Sequence, residues 1–242
     1  MNLSFQVDTG GLEEKLYLLG KEAGAAPGVV FKEETKQIAQ QIVKLTPPRN
    51  LAQGRRAVAT DLSRIVWAPE PDTIKWAPLK EAFEKKDAAK AAALLAKTGK
   101  TFVTDTGPIA AQHLKMRTSR GRINRGVKPF LVAFAGTAMR YVKDVQSRVG
   151  WAKGGWARTL IAAGATVPSW IARHASQAGT VIANFGPNNP SVTAIAYDVK
   201  IPRYQQIVDT AVKTRERITQ MKIDRIVSGK AVNLGFMVIE AK

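Results

Sequence analysis

Between Thr106 and Tyr197 the chain carries a single carboxylate, Asp144, against twelve basic residues: Lys115, Arg117, Arg120, Arg122, Arg125, Lys128, Arg140, Lys143, Arg148, Lys153, Arg158 and Arg173. Charges without acidic neighbours in sequence must stay at the surface, find a distant acid, or meet a partner of opposite sign. The segment supplies a net eleven of the formal +18 of the 242-residue chain, whose first hundred residues are close to balanced. With an isoelectric point of 10.3, such a field attracts polyanions: nucleic acid, an anionic membrane or an acidic protein surface.

The length is sufficient to bury a proper core. The chain has no cysteine, which excludes disulfides and thiolate metal sites and points to a reducing compartment. The opening MNLSFQVDTGGLEEK lacks the basic and apolar regions of a signal peptide. The apolar run from Thr159 to Ala172 is short and contains Pro168, so no membrane span is expected.

Alternation of Leu3, Phe5 and Val7 reads as a short strand ended by Gly10-Gly11. A helix through Leu12, Leu16 and Leu19 follows. Pro27 opens a second, with Phe31, Thr35, Ile38, Ile42 and Leu45 on one face, and Thr46-Pro47-Pro48 closes it. A third helix is expected from Arg55 to Val66, an irregular stretch from Trp67 to Pro78, and a thinly anchored helix from Leu79 to Lys97. Phe130 to Phe134 reads as a strand, with a helix after it from Thr137 towards Arg148. GTVIANF and SVTAIAYDV flank Gly186-Pro187-Asn188-Asn189-Pro190 and predict a β-hairpin. Arg203 to Val227 reads as a long amphipathic helix with Tyr204, Ile207, Val208, Ala211, Ile218 and Met221 inward, and NLGFMVIEA as a further strand.

These elements predict one α+β domain over residues 1–242, with amphipathic helices packed on a small antiparallel sheet. A helical insertion is expected near 68–100 and a basic extended arm at 107–128. In that arm Lys115, Arg117, Arg120, Arg122, Arg125 and Lys128 are the candidates to contact a polyanion or an acidic partner. No zinc-finger spacing, RNA-recognition signature or helix-turn-helix pattern accompanies them, so base-specific readout is not expected.

Catalytic patterns are weak. His113 and His174 stand in no metal spacing, and both read as hydrogen-bonded or surface histidines. Thr98-Gly99-Lys100-Thr101 resembles the end of a phosphate loop, but Leu94 occupies the position of the required upstream glycine. The Gly-Gly pairs at 10–11 and 154–155 lack the context of a dinucleotide fingerprint. No enzymatic activity, cofactor, metal or small-molecule substrate is therefore expected.

Three of the five tryptophans, Trp151, Trp156 and Trp170, lie in the stretch from Arg148 to His174. Core packing is the first expectation for each. Aromatic and basic side chains together also form interface anchors, which makes Arg148, Trp151, Lys153, Trp156 and Arg158 interface candidates.

The helix ending Ala39…Leu45-Thr46-Pro47-Pro48, the polar loop with Gly54 and the helix starting Arg55-Arg56-Ala57-Val58 resemble tailed-phage tail-completion and minor tail proteins. The stretch from Arg148 to Trp156, with Pro168-Ser169-Trp170-Ile171, is similar to a pattern in phage and prophage morphogenesis proteins of this size. The resemblance implies an α+β structural protein without a catalytic site, made in the host cytoplasm and placed in the virion at the neck or upper tail. It implies a homo-oligomeric ring, six- or twelve-fold, among neighbouring neck or tail proteins. The basic segment would face packaged DNA, without sequence specificity, or an acidic neighbour. Residue chemistry alone keeps a nonspecific nucleic-acid-binding module as the alternative.

Overall fold

The computed structural model describes residues 10–118, 123–124, 126–186, 190–197, 204–229, 232–233 and 238–239. The expected strand at Leu3–Val7 lies outside them. The architecture is α+β, predominantly helical with few strands.

The chain divides into two compact units, one made of residues Met1–Arg49 and Gly150–Lys242, the other of Asn50–Val149. The sequence reads as one domain with an insertion at 68–100; the unit set apart in the structure is wider and has its own cores. The first unit begins with α1 (Gly10–Glu22) and α2 (Pro27–Leu45). The second comprises α3 (Leu51–Leu62), β1 (Val66–Trp67), α4 (Ala77–Glu84), α5 (Ala88–Ala96), β2 (Thr101–Val103), α6 (Gly107–Met116), β3 (Leu131–Ala133) and α7 (Ala135–Ser147). The first unit then resumes with α8 (Trp151–Gly154), α9 (Ala157–Ala162), α10 (Ser169–Ala172), α11 (Ala175–Ala178), β4 (Gly179–Asn184), β5 (Ser191–Ala196), α12 (Tyr204–Val227), β6 (Val232–Asn233) and β7 (Val238–Ile239).

In the first unit α1, α2 and α12 pack around Leu12, Leu16, Leu19, Val30, Val212 and Ile223. A second cluster joins Ala39 and Ile42 of α2 to Trp156, Leu160, Ala196 and the α12 residues Tyr204, Val208 and Ala211. Helical spacing on α12 accounts for both, since 204, 208, 211, 212, 219 and 223 share one stripe. Met221, expected inward, is 47% exposed, and Thr219 and Ile223 are buried instead. β4 and β5 form the expected antiparallel ribbon, Gly179 opposite Ala196 and Asn184 opposite Ser191. β6 and β7 form a second, shorter one.

The second unit departs from the expected antiparallel sheet. Its three strands are parallel, in the order β1-β3-β2, with Leu131 opposite both Val66 and Thr101. Successive residues of a strand face opposite sides, and the central strand obeys this. Leu131 and Ala133 enter a core with Leu62, Ile65, Ile109, Ala138 and Tyr141; Val132 enters another with Ile74, Leu79, Phe83 and Leu95. Helices therefore cover both faces, the usual requirement of a parallel sheet. On the second face Phe83, Phe102 and Phe134 stack edge to face, with centroids 4.9 to 6.0 Å apart.

The expected long helix over 79–97 is broken in two. Lys86 adopts a left-handed conformation (φ 54°), and the Asp87 carboxylate accepts the Lys90 N–H at 2.9 Å to start α5.

Candidate basic contact surface

The stretch expected as an extended arm is largely built into the second unit. Pro108 sits in the first turn of α6, where its missing N–H costs nothing, and the helix runs to Met116. Beyond it, Arg117 and Ile123 form an isolated antiparallel bridge, and the Ile123 side chain is buried in the core. Arg64, just past the end of α3, donates to the Ile123 carbonyl at 3.3 Å and pairs with Asp61 at 3.3 Å. The segment is thus anchored at both ends of the bridge. Arg120, Arg122 and Arg125 lie outside the described residues.

α6 meets α7 through His113 and Tyr141. His113 Nδ1 lies 3.0 Å from the Tyr141 hydroxyl, and the two rings stand edge to face, 5.9 Å between centroids. Burial holds the His113 imidazole below its ordinary pKa; the Arg117 charge adds to this and Asp61 opposes it. The ring is therefore neutral at neutral pH. Burial raises the Tyr141 phenol, Asp144 reinforces the rise, and Arg148 and Arg117 oppose it. Arg117 and Arg148, predicted separately in sequence, thus act on one hydroxyl.

Lys115, Arg117 and Lys128 are exposed, as are Arg140, Lys143 and Arg148. Arg148 shares Asp144 at 3.2 Å. Lys115, Lys128, Arg140 and Lys143 have no ion-pair partner among the described residues. On α4 and α5 of the same unit some lysines are paired. Lys80 meets Asp72 at 3.3 Å and Glu84 at 3.7 Å, and Lys85 and Lys90 both meet Glu81 at 2.7 Å. Lys75, Lys86 and Lys97, also exposed, have no ion-pair partner among the described residues either.

The remaining candidates fall in the first unit and are mostly interior. Lys153 is buried, donating to the Val43 carbonyl and lying 5.8 Å from the Trp170 ring centroid. Desolvation pushes its ammonium down to about 8. Trp156 is buried and donates to the Tyr204 hydroxyl, which donates onward to the Ala152 carbonyl at 3.1 Å. Neither residue is placed to form a contact surface, which corrects their assignment as interface candidates: both serve the core. Trp151 is half-buried, 5.6 Å from His174, and donates to the Tyr197 carbonyl at 3.1 Å. Arg158 is half-buried. The Gly154-Gly155 pair has a packing role: a Cβ on Gly155 would lie 2.7 Å from the Ala196 Cβ and 3.0 Å from the Ala178 carbonyl.

Sequence reading passed over Arg140 and Lys143 as contact residues. Their signal was present, three residues apart and off the inward Ala138–Tyr141–Val145 stripe. Among the described residues no group of three or more His, Asp or Glu could hold a metal ion, and no helix is long and apolar enough to cross a membrane. No protein-family model matches the chain, and neither a curated protein nor a solved structure matches it.

Proposed function

We propose that this chain is a structural protein of a tailed-bacteriophage or prophage particle, placed at the neck or upper tail and working as an oligomeric ring. The observation behind the reading is the set of exposed cations on α6 and α7, Lys115, Arg140 and Lys143, that have no ion-pair partner among the described residues. A surface left at that charge is completed by a partner of opposite sign. The likeness of the segments around Thr46-Pro47-Pro48 and Arg148–Trp156 to tail-completion and morphogenesis proteins supplies the setting. In that setting the basic surface faces the DNA channel or an acidic neighbouring ring.

Electron microscopy of the purified protein, and of particles from the same host, tests this reading. Rings and a place at the neck are expected. A protein that stays monomeric and is absent from particles removes it.

The same exposed cations favour one other reading, a module that binds nucleic acid without regard to sequence. It predicts affinity that falls steeply with salt and is lost when Arg117, Arg120, Arg122 and Arg125 are neutralised together. A protein that ignores DNA at low salt excludes it.

A further inference from the structure

We infer that β5 pairs edge to edge with the β5 of a second copy of this chain, antiparallel about a two-fold axis, joining two β4–β5 ribbons into one four-stranded sheet. The register of the ribbon fixes which backbone groups are left for such a partner. The Tyr197 N–H donates to the Ala178 carbonyl at 2.7 Å, and hydrogen-bonded pairs alternate along an antiparallel ladder. Thr180–Ile195, Ile182–Thr193 and Asn184–Ser191 are therefore the bonded pairs, and the backbone groups of Val192 and Ala194 point away from β4. β4 lies against α9 and α11, whereas β5 takes no strand on its far side among the described residues.

Edge strands are usually blunted by a lysine, a proline, a bulge or short length. β5 has six residues, none of them charged and none proline, and it pairs with β4 without a bulge. β4 is equally free of charge; Pro190 precedes β5, and Asp198 and Lys200 follow it. On one face of the ribbon Ala196 enters the core with Trp156 and Leu160. On the other, Ile182, Asn184, Ser191 and Thr193 are exposed, Ile182 at 72%.

Charge selects the occupant. Nucleic acid or an acidic protein finds no cation on this strand to answer its own charge. Two copies of a chain with a net charge of +18 repel wherever their cations meet, and they approach at least cost along an uncharged edge. An antiparallel edge is also its own complement, which a two-fold contact requires. Such a pair closes on itself and does not propagate a ring, so the inference stands apart from the ring reading.

Analytical ultracentrifugation of the full-length protein at physiological salt tests it, with a concentration-dependent dimer expected. Thr193 is exposed, and Thr193→Lys brings two ammonium groups together across the axis; the dimer should weaken about fivefold. Thr60→Lys adds the same charge at an exposed position of α3 and should leave it unchanged. Ala194→Pro removes an outward N–H and leaves the ladder to β4 intact, so the dimer should be lost while the circular dichroism spectrum is kept. Because the chain has no cysteine, Thr193→Cys can form a disulfide only with another copy. Mild oxidation should crosslink it in pairs, and should leave Thr60→Cys uncrosslinked. A protein that sediments as a monomer at every concentration overturns the inference, and so does a dimer of unchanged affinity in Thr193→Lys.

Discussion

Trp156 donates its indole N–H to the Tyr204 hydroxyl at 2.6 Å, and both side chains are buried. The bond joins the start of α9 to the start of α12 across 48 residues of chain. Tyr204→Phe keeps the ring and removes the acceptor, leaving a buried donor unsatisfied. The expected loss is about 1–3 kcal/mol, read as a lower urea midpoint at unchanged slope.

Glu34 of α2 is 2% exposed and is held by Arg215 at 2.7 Å and Lys222 at 3.0 Å, both on α12. Removing one partner of a buried ion pair leaves the other without compensation. Glu34→Gln is therefore expected to cost about 3 kcal/mol in chemical denaturation. Adding Arg215→Gln should cost less than the sum of the two single changes, because they share one interaction.

Lys153 makes stability depend on pH at the alkaline end. Its folded-state value, about 8, lies below the ordinary 10.5, so the unfolded chain binds more protons between those values. Stability contributed by this group rises with pH across that window, and the burial penalty is present in full below it. Urea midpoints of the native protein minus those of Lys153→Met should climb from pH 8 to 10.5 and be level from pH 6 to 7.5.

His113 acts in the acid range. Burial and Arg117 hold its pKa below 6.5, so the unfolded chain binds the proton first as pH falls. Stability from the neutral ring is present above 6.5 and is lost as pH drops through the folded value. The charged and titratable groups acting on it are Arg117, just past the end of its own helix, and Asp61 from α3, with Tyr141 from α7 bonded to the ring. In an NMR titration Arg117→Gln should raise the His113 midpoint towards 6.5, because a repelling charge is gone.

Local signals were legible wherever a strong stop or a clear period existed. Pro27 and Thr46-Pro47-Pro48 bound α2 as expected, and the leucine spacing of α1 and the ribbon β4–β5 were both readable. α3 starts four residues before the expected Arg55, because Asn50 accepts the Gln53 N–H at 2.8 Å and caps it; that asparagine reads equally well as loop. The break at Lys86 has no glycine or proline to announce it. No local signal in the sequence marks Glu34 as buried, and the partners that compensate it lie 181 and 188 residues away. The parallel sheet was hidden for a related reason: β1, β2 and β3 have two or three residues each, too few to show a period. Of the basic surface, the excess charge was visible in sequence. Which of its cations find a carboxylate depends on which helices carry the acids.

The second unit is one uninterrupted run of chain, whereas the first is assembled from two runs a hundred residues apart. Within the second, Gln146 near the end of α7 donates to the Arg55 carbonyl near the start of α3 at 3.0 Å, so entry and exit helices are joined. During synthesis the order of completion follows. Residues 50–149 can close as soon as they leave the ribosome, while α1 and α2 wait for α12, their packing partner near the other end of the chain. Until α12 is made, the apolar stripe of Leu12, Leu16 and Leu19 has only α2 to pack against. A chaperone that engages apolar stripes would meet the nascent chain there.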